Sequence, residues 1–135
     1  MVYKFLEHTA DVKFVAEGEN LSEMFREAAL ATKETITKGV KINAIVEKKF
    51  TVEGTDYESL LYHFLEEFVY LLDAESFIIA EIKEIKITDL ELEATIIGDD
   101  VSGYEITNDV KAITYNDMYV REIDDVWECQ VVLDV

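Results

Sequence analysis

One stretch constrains the fold more than any other. Tyr57, Leu60, Leu61, Phe64, Leu65, Phe68, Val69 and Leu72 recur at i, i+3, i+4 spacing over about four turns. That spacing stacks large apolar side chains on one face of an α-helix. Glu58, Ser59, His63, Glu66, Glu67 and Tyr70 fall on the other face, so His63 reads as a solvent-facing histidine. Gly54 ends the preceding segment, and Thr55 with Glu58 matches the S/T-x-x-E capping box at a helix start. A helix this lopsided needs an apolar surface to lie against, and the rest of the chain must supply it.

Most of the remaining chain alternates as strands do. Val2–Leu6 and Val12–Ala16 mix β-branched and aromatic residues with polar ones. Asn20 with Glu23 resembles a helix start, Leu21, Met24, Phe25, Ala28, Ala29 and Thr32 continue at helical spacing, and Gly39 stops the run. Ala44–Glu53 reads as a strand. Phe77–Ile87 and Leu90–Ile97 read as a hairpin around Thr88-Asp89. Gly98-Asp99-Asp100-Val101-Ser102-Gly103 reads as a polar, solvated loop. It carries two adjacent carboxylates but no third ligand at calcium-loop spacing. Val110–Tyr115 and Met118–Ile123 read as two short strands about an Asn116-Asp117 turn, followed by a last strand with Trp127, Cys129, Val131 and Leu133 on one face. The order is β-β-α-β-α and then about five strands. This predicts a single α+β domain over residues 1–135, with two helices packed on one side of a largely antiparallel sheet.

Composition excludes several classes of function. Twelve basic residues stand against thirty acidic ones, a net charge of −18. Affinity for nucleic acid comes largely from Lys and Arg displacing counterions, so direct RNA or DNA binding by this chain alone is disfavoured. Acidity suits cations and basic protein partners. No apolar run approaches the roughly 20 residues of a bilayer span, so no membrane association is expected. The first residues lack the long apolar core of a signal peptide. A single cysteine, Cys129, excludes an intramolecular disulfide. These features are those of a cytoplasmic protein. Cys129 shares a face with large apolar residues and reads as a small buried hydrophobe.

Two short stretches stand out chemically. Glu7-His8-Thr9-Ala10-Asp11 joins the first two strands without Gly, Asn or Pro. It reads either as a tight connection in which Thr9 and Asp11 bond their own backbone or as a ligand site. At the other end, Val131-Val132-Leu133-Asp134-Val135 keeps its strand pattern to the last residue. The α-carboxylate of Val135 is then held near the carboxylate of Asp134. If the first strands lie beside the last, Asp11 joins them. Three carboxylates without a thiolate form a hard donor set that selects Ca²⁺, Mg²⁺ or Mn²⁺ over Zn²⁺.

The opening Tyr3-x-Phe5-x-Glu7-His8-Thr9-Ala10-Asp11-Val12 resembles the N-terminal signature of the archease family. Val110-Lys111-Ala112-Ile113-Thr114-Tyr115 and the ending Trp127 through Leu133-Asp134-Val135 are also similar to it, as are Leu60-Leu61-Tyr62 and Leu71-Leu72-Asp73. The resemblance spans the chain. It implies a small acidic accessory factor that helps the RtcB-type tRNA-splicing RNA ligase become guanylylated and turn over. It also implies a divalent cation, usually calcium, held by Asp11, Asp134 and the terminal carboxylate of Val135. The family commonly carries histidines before the Val-Lys-Ala segment and after its Thr-Tyr. This chain has neither, and Asn116 follows Tyr115. Those positions lie outside the carboxylate trio and bear instead on contact with the partner. Two other readings fit the residues themselves. A metal-dependent hydrolase acting on a small molecule could use the three carboxylates and His8, although no nucleophile with a base and no Gly-rich phosphate loop accompanies them. A binding module whose motif is only structural is the other.

Overall fold

A computed structural model describes residues 1–7, 11–107 and 109–135. β1 (Val2–Leu6) and β2 (Val12–Gly18) pair antiparallel, with Leu6 opposite Lys13. Helix α1 (Leu21–Thr37), strand β3 (Val46–Glu53) and helix α2 (Tyr57–Glu75) follow. The remaining strands are β4 (Phe77–Thr88), β5 (Glu91–Asp100), β6 (Ala112–Ile123) and β7 (Val126–Asp134). The class is α+β, as expected, but the strands form two antiparallel sheets rather than one. Their orders are β1-β2-β7-β6 and β3-β5-β4. Helix α1 packs on β1, β2, β7 and β4, while α2 packs on β6, β3, β4 and β5, so the helices tie the two sheets together.

The apolar stripe of α2 accounts for the core. Leu60, Leu61, Phe64, Leu65, Phe68, Val69 and Leu72 are all buried, joined by Leu71, and His63 is exposed as the pattern predicts. The Phe64 ring lies 5.9 Å from Phe25 of α1 and 6.1 Å from Phe50 of β3, linking both helices to the second sheet. Both β-to-α junctions use a glycine for close approach. A Cβ on Gly18 would stand 2.3 Å from the Met24 nitrogen, and one on Gly54 2.5 Å from the Leu60 nitrogen. Each strand end therefore abuts the first turn of the helix that follows.

The helix caps and loops correct the sequence reading in places. The N-cap of α2 is Asp56, not Thr55. Asp56 Oδ1 accepts the Ser59 amide at 2.7 Å, and Ser59 Oγ accepts the Asp56 amide at 3.2 Å. Aspartate leads threonine as a cap, and Glu58 is drawn away to accept the Val120 amide at 3.3 Å. The left-handed residue that ends α1 is Lys38, with φ of 51°, one position before Gly39. Gly98, Asp99 and Asp100 belong to β5 rather than to a loop. The two carboxylates have internal roles there: Asp99 accepts the Tyr104 hydroxyl at 2.6 Å, and Asp100 accepts the Ser102 amide at 2.8 Å. Asn116-Asp117 does not separate two strands. Residues 115–118 bulge from β6 opposite the single Val131, and pairing resumes at Tyr119 with Gln130. The Gln130 side chain donates to the Asp117 carbonyl at 2.8 Å and holds the bulge on the sheet. Among the described residues, four strands rather than about five therefore follow α2.

Candidate functional site

Strand pairing brings the two ends of the chain together. β2 runs antiparallel to β7, and the last matched pair is Val12 with Leu133. Asp11 and Asp134 are the next residues beyond that pair, at one end of the two inner strands of the first sheet. On the other side of β7, Asp134 pairs with Ala112, and the Lys111 amide donates to the Asp134 carbonyl at 2.8 Å. The backbone of Asp134 is thus fixed from β6 while its side chain is left for other use. The Val12 and Val135 side chains both pack against the core. Apolar packing therefore holds the Val135 side chain, although β7 itself stops at Asp134 rather than running to Val135. Asp11, Asp134 and Val135 are each half-buried. His8, Thr9 and Ala10 of the first motif lie outside the described residues.

Among the described residues, no group of three or more His, Cys, Asp and Glu side chains is gathered to hold a metal. The oxygens at this end of the sheet that could hold a cation are the carboxylates of Asp11 and Asp134, with the main chain of Val135 next to Asp134. These donors are all hard oxygens, and the sulfur of Cys129 is fully buried in the core. The donor set fits Ca²⁺, Mg²⁺ or Mn²⁺ and not a thiolate-seeking metal. Burial pushes the Cys129 thiol up to about 12, so it is neither a ligand nor a nucleophile at neutral pH. His63 lies elsewhere, its Nδ1–H donating to the Glu53 carbonyl at 2.7 Å. That bond ties α2 to the end of β3 and gives the histidine a structural role.

An open cleft of about 830 Å³ lies alongside Asp11. Its walls come from the end of β1 (Phe5, Leu6 and Glu7), the start of β2 (Asp11 and Val12) and the last turn of α1 (Glu34, Thr35 and Lys38). Lys38 forms an ion pair with Asp109, and this lysine holds the Asp109 carboxyl below its usual range. Sequence reasoning found the β1–β2 wall through its motif but missed the α1 wall. Glu34 and Lys38 fall outside the apolar stripe, at i, i+4 spacing in the final turn, which otherwise reads as a plain solvated helix end.

The chain matches the model of the Archease protein family over residues 3–135. The archease of Pyrococcus furiosus is 39% identical over 140 residues, covering 98% of each protein. The archease of Methanosarcina mazei is 33% identical over 140 residues, covering 98% of this chain and 95% of that protein. A Methanobacterium thermoautotrophicum protein solved in solution is similar in structure with a TM-score of 0.83 at 32% identity, over 98% of both chains. A Thermotoga maritima archease, described as a possible chaperone, shares the fold with a TM-score of 0.65 at 19% identity, over 98% of this chain and 96% of that one.

Proposed function

The chain belongs to the archease family, and from that membership we propose that it is a metal-binding accessory protein that activates an RtcB-type tRNA-splicing RNA ligase. It promotes guanylylation and multiple turnover of the ligase in the cytoplasm and is not itself the catalyst. The observation that supports this most strongly is the antiparallel pairing of β2 with β7, which ends at Val12 and Leu133, one residue short of Asp11 and Asp134. The acidic balance agrees with it: a protein of charge −18 can serve RNA chemistry through a protein partner without holding RNA. An accessory role is also of the same class as the possible chaperone ascribed to the Thermotoga relative.

In this reading Asp11, Asp134 and the terminal carboxylate of Val135 hold the cation, with Ca²⁺ favoured over Mg²⁺ and Mn²⁺. Calcium takes six to eight oxygens, so three carboxylates leave positions for oxygens of the partner. The protein's own residues do the positioning. The Lys111–Asp134 backbone bond fixes the end of β7, and the packed side chain of Val135 limits motion of the terminus.

The test is guanylylation of the cognate ligase by labelled GTP, with and without this protein. The expected result is faster guanylylation and multiple turnover with the protein present, lost with Asp134→Asn. Alone, the protein should neither join RNA ends nor consume GTP. An unchanged ligase rate, or ligation by the isolated protein, would reject the proposal.

A further inference from the structure

The cleft beside Asp11 is not a simple acidic patch. Phe5 and Val12, on the face that Phe14 shares, supply the apolar part of its lining, and Glu7, Asp11 and Glu34 supply its carboxylates. Among the described residues that line it, the one lysine, Lys38, is paired with Asp109. The lining is therefore net negative, and the cation within reach is neutralised by a carboxylate from outside it. Phe5 keeps 41% of its surface exposed, although its ring meets Tyr3 at 5.6 Å and Phe14 at 6.4 Å. The Thr35 hydroxyl turns back to the Ala31 carbonyl at 3.0 Å, so it offers no competing polar contact. Glu34 also reaches the neighbourhood of β1. Burial foremost, and then the charge of Glu34, raises the Tyr3 hydroxyl above its usual range.

An apolar part, an accessible aromatic ring and a set of carboxylates together match one kind of side chain. It carries a cation at the tip of an apolar stem. The geometry points to this cleft as the receptor for an arginine, flanked by apolar residues, on a segment of a protein partner. The arginine stem lies on Val12, its guanidinium meets Glu7 and Glu34, and the flanking apolar residue covers Phe5. Arginine is preferred to lysine because a planar guanidinium can serve two carboxylates at once. The identification of the partner with the ligase rests on the accessory-protein reading, whereas the chemistry of the cleft does not.

The probe is acetyl-Leu-Arg-amide, titrated into the isotope-labelled full chain and followed by amide NMR shifts at physiological salt. Acetyl-Leu-citrulline-amide, which keeps the shape without the charge, serves as control. Shifts should concentrate at Phe5, Leu6, Val12, Glu34 and Thr35, with the citrulline peptide weaker. Glu34→Gln, an exposed change that leaves the core intact, should weaken the arginine peptide by about fivefold and leave the citrulline peptide unaffected. Shifts scattered over the acidic surface, equal binding of the two peptides, or no effect of Glu34→Gln would each overturn the proposal. Failure of the accessory reading is distinct, because it appears as an unstimulated ligase. A stimulated ligase with an unresponsive cleft sinks only the cleft.

Discussion

Arg26 reaches from α1 to the second sheet, where its Nη1 donates to the carbonyl of Ile82 at 2.6 Å. Ile82 lies at one of two register shifts in β4, between its own pairing with Ile96 and that of Glu84 with Thr95. A bulge leaves a strand with an extra residue and a disrupted ladder. A guanidinium supplied by a helix at that point satisfies a carbonyl beside a buried side chain. The contact also joins a helix seated mainly on the first sheet to the edge of the second. Arg26→Ala is expected to destabilise the fold by about 1.5–3 kcal/mol, the usual effect of removing a charged donor from a partly buried acceptor. Arg26→Lys should recover part of that. Urea unfolding measures both, and amide exchange should rise first around residues 82–84. A loss under about 0.5 kcal/mol would show that water replaces the guanidinium.

The cap of α2 separates two neighbouring residues. Asp56 accepts the Ser59 amide, and Ser59 answers with its hydroxyl. Asp56→Ala should cost about 1–2 kcal/mol, while Thr55→Ala should stay near 0.5 kcal/mol or below. The reverse ranking in thermal or urea unfolding would restore Thr55 as the cap.

Periodicity made both helices and most strands legible, because a residue's exposure follows from the repeat of its own element. It failed where a partner element decides. Asn116-Asp117 has the composition of a turn, and Asp117 does adopt a φ of 54°. Whether such a turn ends a strand or bulges from it depends on β7, which carries the ladder straight past it. The run Phe77–Ala80 is buried at four successive positions, as helix contact and a bulge permit but alternation does not. The sequence brings Asp11 to Asp134 only on the condition that the first strands lie beside the last, and the family resemblance names both. Their own spacing says nothing about the pairing of β2 with β7 that brings them to one end of the sheet. The α1 wall of the cleft gave no signal because Glu34 and Lys38 look like any solvated helix end.

Alkaline pH should weaken the fold. The buried thiol of Cys129 is pushed from 9.0 up to about 12 by burial. The Tyr119 hydroxyl is pushed from 10.0 up to about 12, first by burial and then by its hydrogen bond to Glu128. Below pH 9 both groups are neutral folded and unfolded, and stability is independent of them. As pH rises from about 9 to about 12, the unfolded chain releases both protons while the folded chain keeps them. Stability therefore falls through that window. Urea midpoints between pH 7 and 11 check the sign, with Tyr119→Phe flattening the upper part of the decline. At pH 8, Cys129 should resist a thiol reagent until urea unfolds the protein.

The chain terminus provides the sharpest test of the proposed metal site. A residue added after Val135 converts its carboxylate to a neutral amide carbonyl and crowds the open coordination positions. Calcium affinity depends strongly on ligand charge, so a C-terminal extension should weaken binding by about tenfold or more, comparable to Asp11→Asn or Asp134→Asn. The fold should barely notice, because the Lys111–Asp134 backbone bond and the packing of the Val135 side chain both survive the extension. Metal-free stability should stay within about 0.5 kcal/mol. An N-terminal extension is the matched control. It removes the ion pair between the Met1 amino group and Glu23, a partly exposed pair whose loss costs at most about 1 kcal/mol. It leaves Asp11, Asp134 and Val135 as they are. Calcium titration calorimetry on both extended proteins, with ligase activation measured in parallel, distinguishes the two ends. Full calcium binding and full activation by the C-terminally extended protein would remove Val135 from the site. Two aspartates would then remain as the charged ligands of the site.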